Sequence, residues 1–192
     1  PGQHLTLRAD IDGEDVRRSY SICSGVNDGR LRIAIKRVPG GQFSNWANAH
    51  LQPGQVLEVM PPMGHFNVPL AAEARRNYVA FAAGSGITPV FSLVKTTLAA
   101  EPHSEFTLFY GNRASSSVMF KEELADLKDT YLSRFNLVYV MSREPQDIDL
   151  LNGRITREKA GALLRRWVDA SEVDAFFVCG PDGMMKAVQE AL

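Results

Sequence analysis

Hydrophobic and polar positions follow two different rhythms along this chain. Up to about residue 70, apolar residues come in short alternating or β-branched runs: Leu5–Leu7, Val16–Ile22, Leu31–Lys36 and Val56–Met60. Asp12-Gly13, Asn27-Asp28-Gly29, Pro39-Gly40-Gly41, Pro53-Gly54 and Pro61-Pro62 separate them, all residue types that permit tight turns. The pattern predicts four short strands, one short helix around Ser44–His50, and an antiparallel barrel or sandwich. Leu70–Arg76 reads as a polar linker. Beyond it, predicted strands (Tyr78–Ala83, Phe106–Tyr110, Phe135–Met141, Ala175–Cys179) alternate with predicted helices (Pro89–Ala99, Val118–Lys128, Arg157–Val168, and from Asp182 onward). Apolar strands spaced by helices imply a parallel sheet covered on both faces. The fold expected is therefore mixed: a partial antiparallel β-barrel over 1–72, then an α/β parallel-sheet domain over 73–192.

Composition narrows the function. With 45% hydrophobic and 22% charged residues the chain is an ordinary globular one, not disordered, collagen-like or a disulfide scaffold. Lys and Arg number 21 against 22 Asp and Glu, so the basic field that nucleic-acid binding needs is missing. No apolar run approaches the roughly 18 residues of a membrane span. Cys23 and Cys179 lie far apart and form no CxxC, so neither a metal site nor a disulfide is expected; a reducing, cytoplasmic compartment is. The four histidines show no ligand spacing, and no carboxylate pair stands out for acid–base work. The chain opens at Pro1 directly on an apolar alternation and stops at Leu192 within an uncapped helical pattern, as a piece of a longer protein would.

Five motifs carry possible chemistry. Ala83-Gly84-Ser85-Gly86-Ile87-Thr88-Pro89 joins a predicted strand to a predicted helix; two glycines let backbone approach a pyrophosphate, and a helix N-terminus offers free N–H groups. Thr88 is expected at the N-cap and Pro89 at the first helical position. The third glycine of a full GxGxxG is replaced by Pro89, so the motif alone reads equally as a ligand-free tight turn. Cys179-Gly180-Pro181 ends the last strand on the same sheet edge; by itself it is a small buried residue before a helix. In Arg17-Arg18-Ser19-Tyr20-Ser21-Ile22 the period of two puts Arg18 and Tyr20 on one face, a cation beside an aromatic ring, or simply a solvated strand edge. Lys36 to Ser44 (KRVPGGQFS) places Gly40 and Gly41 before a short helix, as a phosphate anchor or a plain turn. Arg113 and Arg143 each follow a strand of the second domain and could grip an extra phosphate, or be solvated surface charges.

The order RSYS, PGGQFS, GSGITP, YGNR, SRE, CGP resembles the ferredoxin–NADP reductase superfamily along nearly the whole chain. PGQHLTL, RRSYSIC, AAGSGITP, FTLFYGNR and FVCGP are similar to the reductase components of phenylacetyl-CoA-epoxidising systems within it. The resemblance implies an FAD-binding barrel followed by an NAD(P)-binding domain. It implies that Arg18 binds the FAD pyrophosphate, Tyr20 lies against the flavin ring and Ser21 hydrogen-bonds near flavin N5. Lys36 is implied beside the adenosine portion, and Gly41, Gln42, Phe43 and Ser44 around the pyrophosphate, through backbone and hydroxyl. Gly84, Gly86 and Thr88 would line the nicotinamide dinucleotide site. Arg113, Ser142 and Arg143 would contact a 2′-phosphate, favouring NADPH. Cys179, Gly180 and Pro181 would lie near the nicotinamide, with Ser21 and Cys179 flanking the reacting atoms. A [2Fe–2S] domain is implied downstream, in the full-length protein only, with the oxygenase component of a multicomponent monooxygenase as partner and phenylacetate degradation as setting. The alternatives are the reductase module of another oxygenase or a flavohaemoglobin, and a non-catalytic nucleotide-binding regulator.

Overall fold

A computed structural model describes residues 1–192. Strands β1 (His4–Ile11) and β2 (Glu14–Ser21) form an antiparallel hairpin across Asp12-Gly13, where φ is 56° and 83°. Positive φ at both turn residues is the two-residue geometry whose twist matches the flanking strands. β3 (Glu58–Val59) pairs with the other edge of β1, giving a three-stranded sheet of order β2-β1-β3. Leu5, Leu7, Ala9, Ile11 and Val16 bury one face against Phe43 and Ala47 of helix α1 (Gln42–His50). The other face is polar: the Thr6 and Ser19 hydroxyls bond at 2.9 Å, and Arg8 pairs with Asp15 and Glu58.

The expected strand Leu31–Lys36 contracts to one bridge, Ile22 to Ile33. Side chains take backbone groups that a strand would pair: Ser24 Oγ accepts from the Arg32 N–H (3.1 Å), and Asn48 Nδ2 donates to Ile35 O (3.1 Å). This unit is accordingly an open sheet with an irregular flank, a partial barrel.

The second unit runs β4 (Asn77–Ala83), α2 (Ile87–Ala100), β5 (Glu105–Asn112), α3 (Lys121–Thr130), β6 (Phe135–Met141), α4 (Arg157–Trp167), β7 (Val173–Cys179) and α5 (Asp182–Gln189). The four strands are parallel, in the order β6-β5-β4-β7. Alternate residues of each strand serve opposite faces. Tyr78, Ala80, Phe106, Leu108 and Phe177 pack under α2 and α3, while Val79, Phe81, Phe109 and Val138 pack under α4 and α5. Each large apolar side chain so buried contributes about 1.5–3 kcal/mol. Clusters of 16 buried residues, all but Cys23 from this unit, and of 11, against seven in the antiparallel unit, place most of that stabilisation in the parallel one.

Two helix starts differ from expectation. α2 begins at Ile87 with Gly86 as N-cap, because Gly84–Gly86 already coil as a 3₁₀ turn; Thr88 is therefore inside the first turn and not its cap. α3 begins at Lys121, three residues later than Val118, because Phe120 takes a left-handed backbone (φ 58°, ψ 32°) that cannot continue from a helix.

Candidate functional site

In an open parallel sheet, ligands bind beyond the carboxyl ends of the strands, where successive connections leave in opposite directions. Here that point lies between β4 and β7: the chain leaves β4 toward β5 and β6, and returns to β7 on the other side. The turn after β4 is Gly84-Ser85-Gly86; the turn after β7 is Gly180-Pro181. They touch. A Cβ on Gly86 would stand 2.1 Å from Cys179 O and 2.8 Å from Gly180 Cα, so only glycine fits. Gly180 also lies close to β4, where a Cβ would meet Ala83 N at 3.2 Å. Gly84 needs φ of 54°, and its carbonyl accepts from the Tyr110 hydroxyl at 3.0 Å. That hydroxyl also accepts the Met119 N–H at 3.3 Å, fixing the turn to β5 and to the entry of α3. The Thr88 hydroxyl is buried and donates back to Ser85 O, so it braces the turn. Burial holds the half-exposed Cys179 thiol above its ordinary pKa, hence protonated at neutral pH.

Two features of this edge are open to a ligand. No side chain caps the N-terminus of α5 at Pro181. Asn112, at the end of β5, is buried, yet its Nδ2 has no hydrogen-bond partner. A donor left unpaired there costs about 1–3 kcal/mol unless something supplies an acceptor.

Arg113 and Arg143 are brought together by the sheet. Arg143 N–H donates to Arg113 O (2.8 Å) and Ser142 N–H to Asn112 O (2.9 Å), so both side chains leave adjacent strand ends. Both are exposed and neither guanidinium is in an ion pair, while the nearby Glu144 carboxylate is taken by the Ser115 N–H and hydroxyl, both 2.8 Å. The bonds from Ser115 hold Glu144 below its ordinary pKa.

On the antiparallel unit, Arg18 and Tyr20 share the face that packs on α1. Arg18 is exposed, and its guanidinium donates only to Arg17 O at 2.7 Å. The half-buried Tyr20 ring lies 5.7 Å from that of Phe43. Phe43 is core, so only its backbone can face a ligand. Gln42 reaches Glu14 at 2.8 Å, and Ser44 Oγ accepts from Val38 N–H at 3.2 Å, within the turn itself. The N-terminus of α1 has no side-chain cap, leaving the N–H groups of Gln42, Phe43 and Ser44 available to an anion. The Lys36 ammonium is in no ion pair and stands 3.7 Å from where a Gly84 Cβ would be. Lys36 thus brings the flank of the antiparallel unit beside the glycine turn of the parallel one.

Comparison with known proteins agrees with this geometry. Residues 1–68 match the oxidoreductase FAD-binding domain family and residues 81–190 the oxidoreductase NAD-binding domain family. The chain belongs to the ferredoxin reductase family of FAD- and NAD-binding oxidoreductases. It is 49% identical over 192 residues to one of the subunits of the 1,2-phenylacetyl-CoA epoxidase of Escherichia coli, covering all of this chain and 54% of that one. It is 35% identical over 194 residues to the ferredoxin reductase component of the 3-ketosteroid-9-alpha-monooxygenase of Mycobacterium tuberculosis, again covering all of this chain and 50% of the relative. The chain thus spans about half the length of these curated relatives. Among solved structures, an Amycolatopsis cytochrome P450 reductase superposes with a TM-score of 0.83 at 26% identity, covering 99% of this chain and 55% of the other. No helix is long and apolar enough to cross a membrane.

Within this family frame the donor set suits dinucleotides: capless helix N-termini, free arginines, unengaged Tyr20 and Ser21 hydroxyls, and an orphaned amide at Asn112. Sequence reading missed Tyr110 and Asn112. Both stand in the same YGNR motif as Arg113, but what they touch is set by α3 and the glycine turn, and no local signal shows that. Tyr110→Phe strands the Gly84 carbonyl and the Met119 N–H. It is expected to cost about 1–3 kcal/mol in a urea titration and to weaken NAD(P)H binding several-fold; unchanged binding would remove Tyr110 from the site.

Proposed function

We propose that the full-length protein is an NADPH-dependent flavoprotein reductase passing electrons from NADPH through FAD to an iron–sulfur centre and on to an oxygenase component, in phenylacetate degradation in the cytoplasm. Domain limits of 1–72 and 73–192 go with this reading. The observation that carries it is the approach of Lys36, on the irregular flank of the antiparallel unit, to the Gly84 turn at the ligand edge of the parallel sheet. The relative named as part of an epoxidase supports the oxygenase partner and the setting. Bound together, a flavin and a pyridine nucleotide supply hydride transfer and the splitting of an electron pair into single electrons.

The chain's own residues hold and orient. Arg18 and the α1 N-terminus (Gly41, Gln42, Phe43, Ser44) would take the FAD pyrophosphate, and Tyr20 and Ser21 the flavin ring. Lys36 adds its charge at the seam between the units. Gly84 and Gly86 would line the site of the second nucleotide, Gly86 by letting the two turns touch, with Thr88 bracing their turn. Arg113, Ser142 and Arg143 would take a 2′-phosphate. Cys179, as a neutral thiol, with Gly180 and Pro181, would close the pocket against water. No side chain is needed to move a proton, consistent with the lack of a carboxylate pair.

Anaerobic NADPH should bleach the yellow of the FAD-loaded full-length protein; failure to bleach with either nucleotide would overturn the reductase reading. NADPH should be preferred over NADH in kcat/KM. Arg113→Ala should cut that preference on the order of 10- to 100-fold, as loss of one charge-assisted phosphate contact of about 1.5–3 kcal/mol implies. Equal efficiencies in the wild type would rule out the 2′-phosphate assignment.

A further inference from the structure

Two cations and two aromatic rings stack across the seam between the units. Arg32, from the antiparallel unit, holds its guanidinium carbon 5.3 Å from the centroid of the Phe120 ring. Phe120 stacks on Phe91 of α2, with centroids 4.7 Å and planes 4° apart. Lys95, one turn along α2, holds Nζ 5.5 Å from the Phe91 centroid. Each cation is also paired with a carboxylate of the opposite unit: Arg32 with Glu123 of α3 at 2.7 Å, and Lys95 with Asp28 at 2.5 Å. Beside them, Ser92 Oγ donates to Ser24 O (2.7 Å) and the Val26 N–H donates to Thr96 Oγ1 (3.2 Å).

Three aspects set this cluster apart from ordinary surface pairing. The ion pairs run in opposite senses, one cation from each unit, so a slide of either unit breaks both. The Lys95–Asp28 pair is partly shielded, with side chains 25% and 21% exposed, which strengthens it relative to a solvated pair, while Arg32 and Glu123 are more open at 36% and 40%. Phe120 holds a left-handed backbone that a bulky residue keeps only where its surroundings impose it, and such strain clusters at functional sites.

We infer that the Arg32–Phe120–Phe91–Lys95 stack, with Glu123 and Asp28, is a positioning device that fixes the angle between the two units and thereby the alignment of the flavin and nicotinamide sites. Domains in one chain move relative to one another unless their interface prevents it, and a displacement of about 1 Å from the reacting geometry can cost about 100-fold in rate. The inference rests on the reductase reading above, and these residues act through the domain orientation without touching either cofactor.

The test uses full-length FAD-loaded protein in four forms: wild type, Arg32→Glu, Glu123→Arg, and the double swap. Two quantities are read: amide hydrogen exchange across residues 24–32, and the stopped-flow rate of flavin reduction at saturating NADPH. Each single variant is expected to lose at least tenfold protection at the Val26 amide. Each should also reduce flavin at least tenfold more slowly, with NADPH Kd and FAD content within twofold of wild type. The double swap re-forms the ion pair but not the cation over the Phe120 ring, so it should recover both losses in part, by at least threefold over the single variants. Unchanged exchange and rate in the single variants would overturn the inference, as would an effect confined to Kd or one the swap does not relieve at all. If the charge variants do not fold, Phe120→Leu, which removes the ring and keeps an apolar side chain, must show the same paired loss; wild-type exchange and rate in it would overturn the inference equally. Wild-type protein that neither nucleotide reduces would instead sink the reductase reading, and this inference with it.

Discussion

Gly86→Ala is expected to abolish measurable pyridine-nucleotide binding at micromolar concentrations and to lower the melting temperature by about 6–12 °C. The added Cβ would lie 2.1 Å from Cys179 O and 2.5 Å from its carbonyl carbon. Both obstacles are backbone, at the end of a core strand, so neither can rotate away. The two turns must part by more than about 1 Å, which breaks the ligand edge between β4 and β7. Overpacking typically costs about 1–3 kcal/mol; the upper end applies because no side chain can give, and each kcal/mol is worth about 2–4 °C in a chain of this size. Gly183→Ala in α5 is the control, since a Cβ there meets nothing within 4 Å. It should be neutral or stabilising by about 0.4–1 kcal/mol. Differential scanning calorimetry and nucleotide titration of the two variants check this, and an intact nucleotide site in Gly86→Ala would show that the turns are not the binding edge.

Glu101→Ala should cost about 3–5 kcal/mol, because several donors lose their shared acceptor at once and each buried donor left unpaired costs about 1–3 kcal/mol. Glu101 is fully buried. Its carboxylate accepts from the Ser104 hydroxyl (2.7 Å), the Tyr78 hydroxyl (2.9 Å), the Ala71 N–H (3.0 Å) and Arg76 Nη1 (3.2 Å). Arg76 also donates to Pro69 O at 2.8 Å, so this one carboxylate pins the linker between the units to the end of α2. Glu101→Gln should recover part of this, with its oxygen toward the Ala71 N–H and Arg76 and its nitrogen toward the Ser104 and Tyr78 hydroxyls, which can accept as well as donate. Burial pushes the Glu101 carboxyl up, but the bonds from Ser104, Ala71, Tyr78 and Arg76 outweigh it and hold the pKa below the ordinary value. A carboxyl lowered in the folded state contributes its stability above the unfolded pKa and loses it as pH falls through the folded one. The gap between wild type and Glu101→Gln should therefore be constant near neutrality and shrink below about pH 4.3. Urea midpoints at pH 7, 5 and 3.5 test this; a gap that widens with acid would reverse the assignment.

Local chemistry explains which parts of the fold are legible. The apolar pattern predicts strand Phe135–Met141 at its observed limits, β4, β5, β7 and α4 to within about two residues, and the start of α5, because buried parallel strands are continuous apolar runs and their helices keep a strong period; α5 ends at Gln189 and does not run on to Leu192. The misreadings fall where a side chain competes for backbone or a single residue leaves the regular regions of φ and ψ. Leu31–Lys36 has the composition of a strand, but Ser24 and Asn48 claim its backbone groups. Val118–Lys128 has the period of a helix, but the left-handed Phe120 delays its start. Thr88 has the type of an N-cap, but the glycine turn ahead of it already coils.

Residue type, spacing and order suffice for the two-part architecture, the glycine turns, the placing of Arg113 and Arg143 after strands, and the family, because none of these depends on distant partners. What those residues meet is another matter. Packing of the folded chain sets Gly86 against Cys179, Tyr110 against Gly84, and Lys36 beside the glycine turn, and it buries Glu101 under a linker that reads as merely polar. It also leaves Asn112 without a partner and stacks Arg32 on Phe120 across the seam. Each is a contact between residues far apart in the chain, and such contacts are fixed by the packing of whole layers, which no short window of sequence contains.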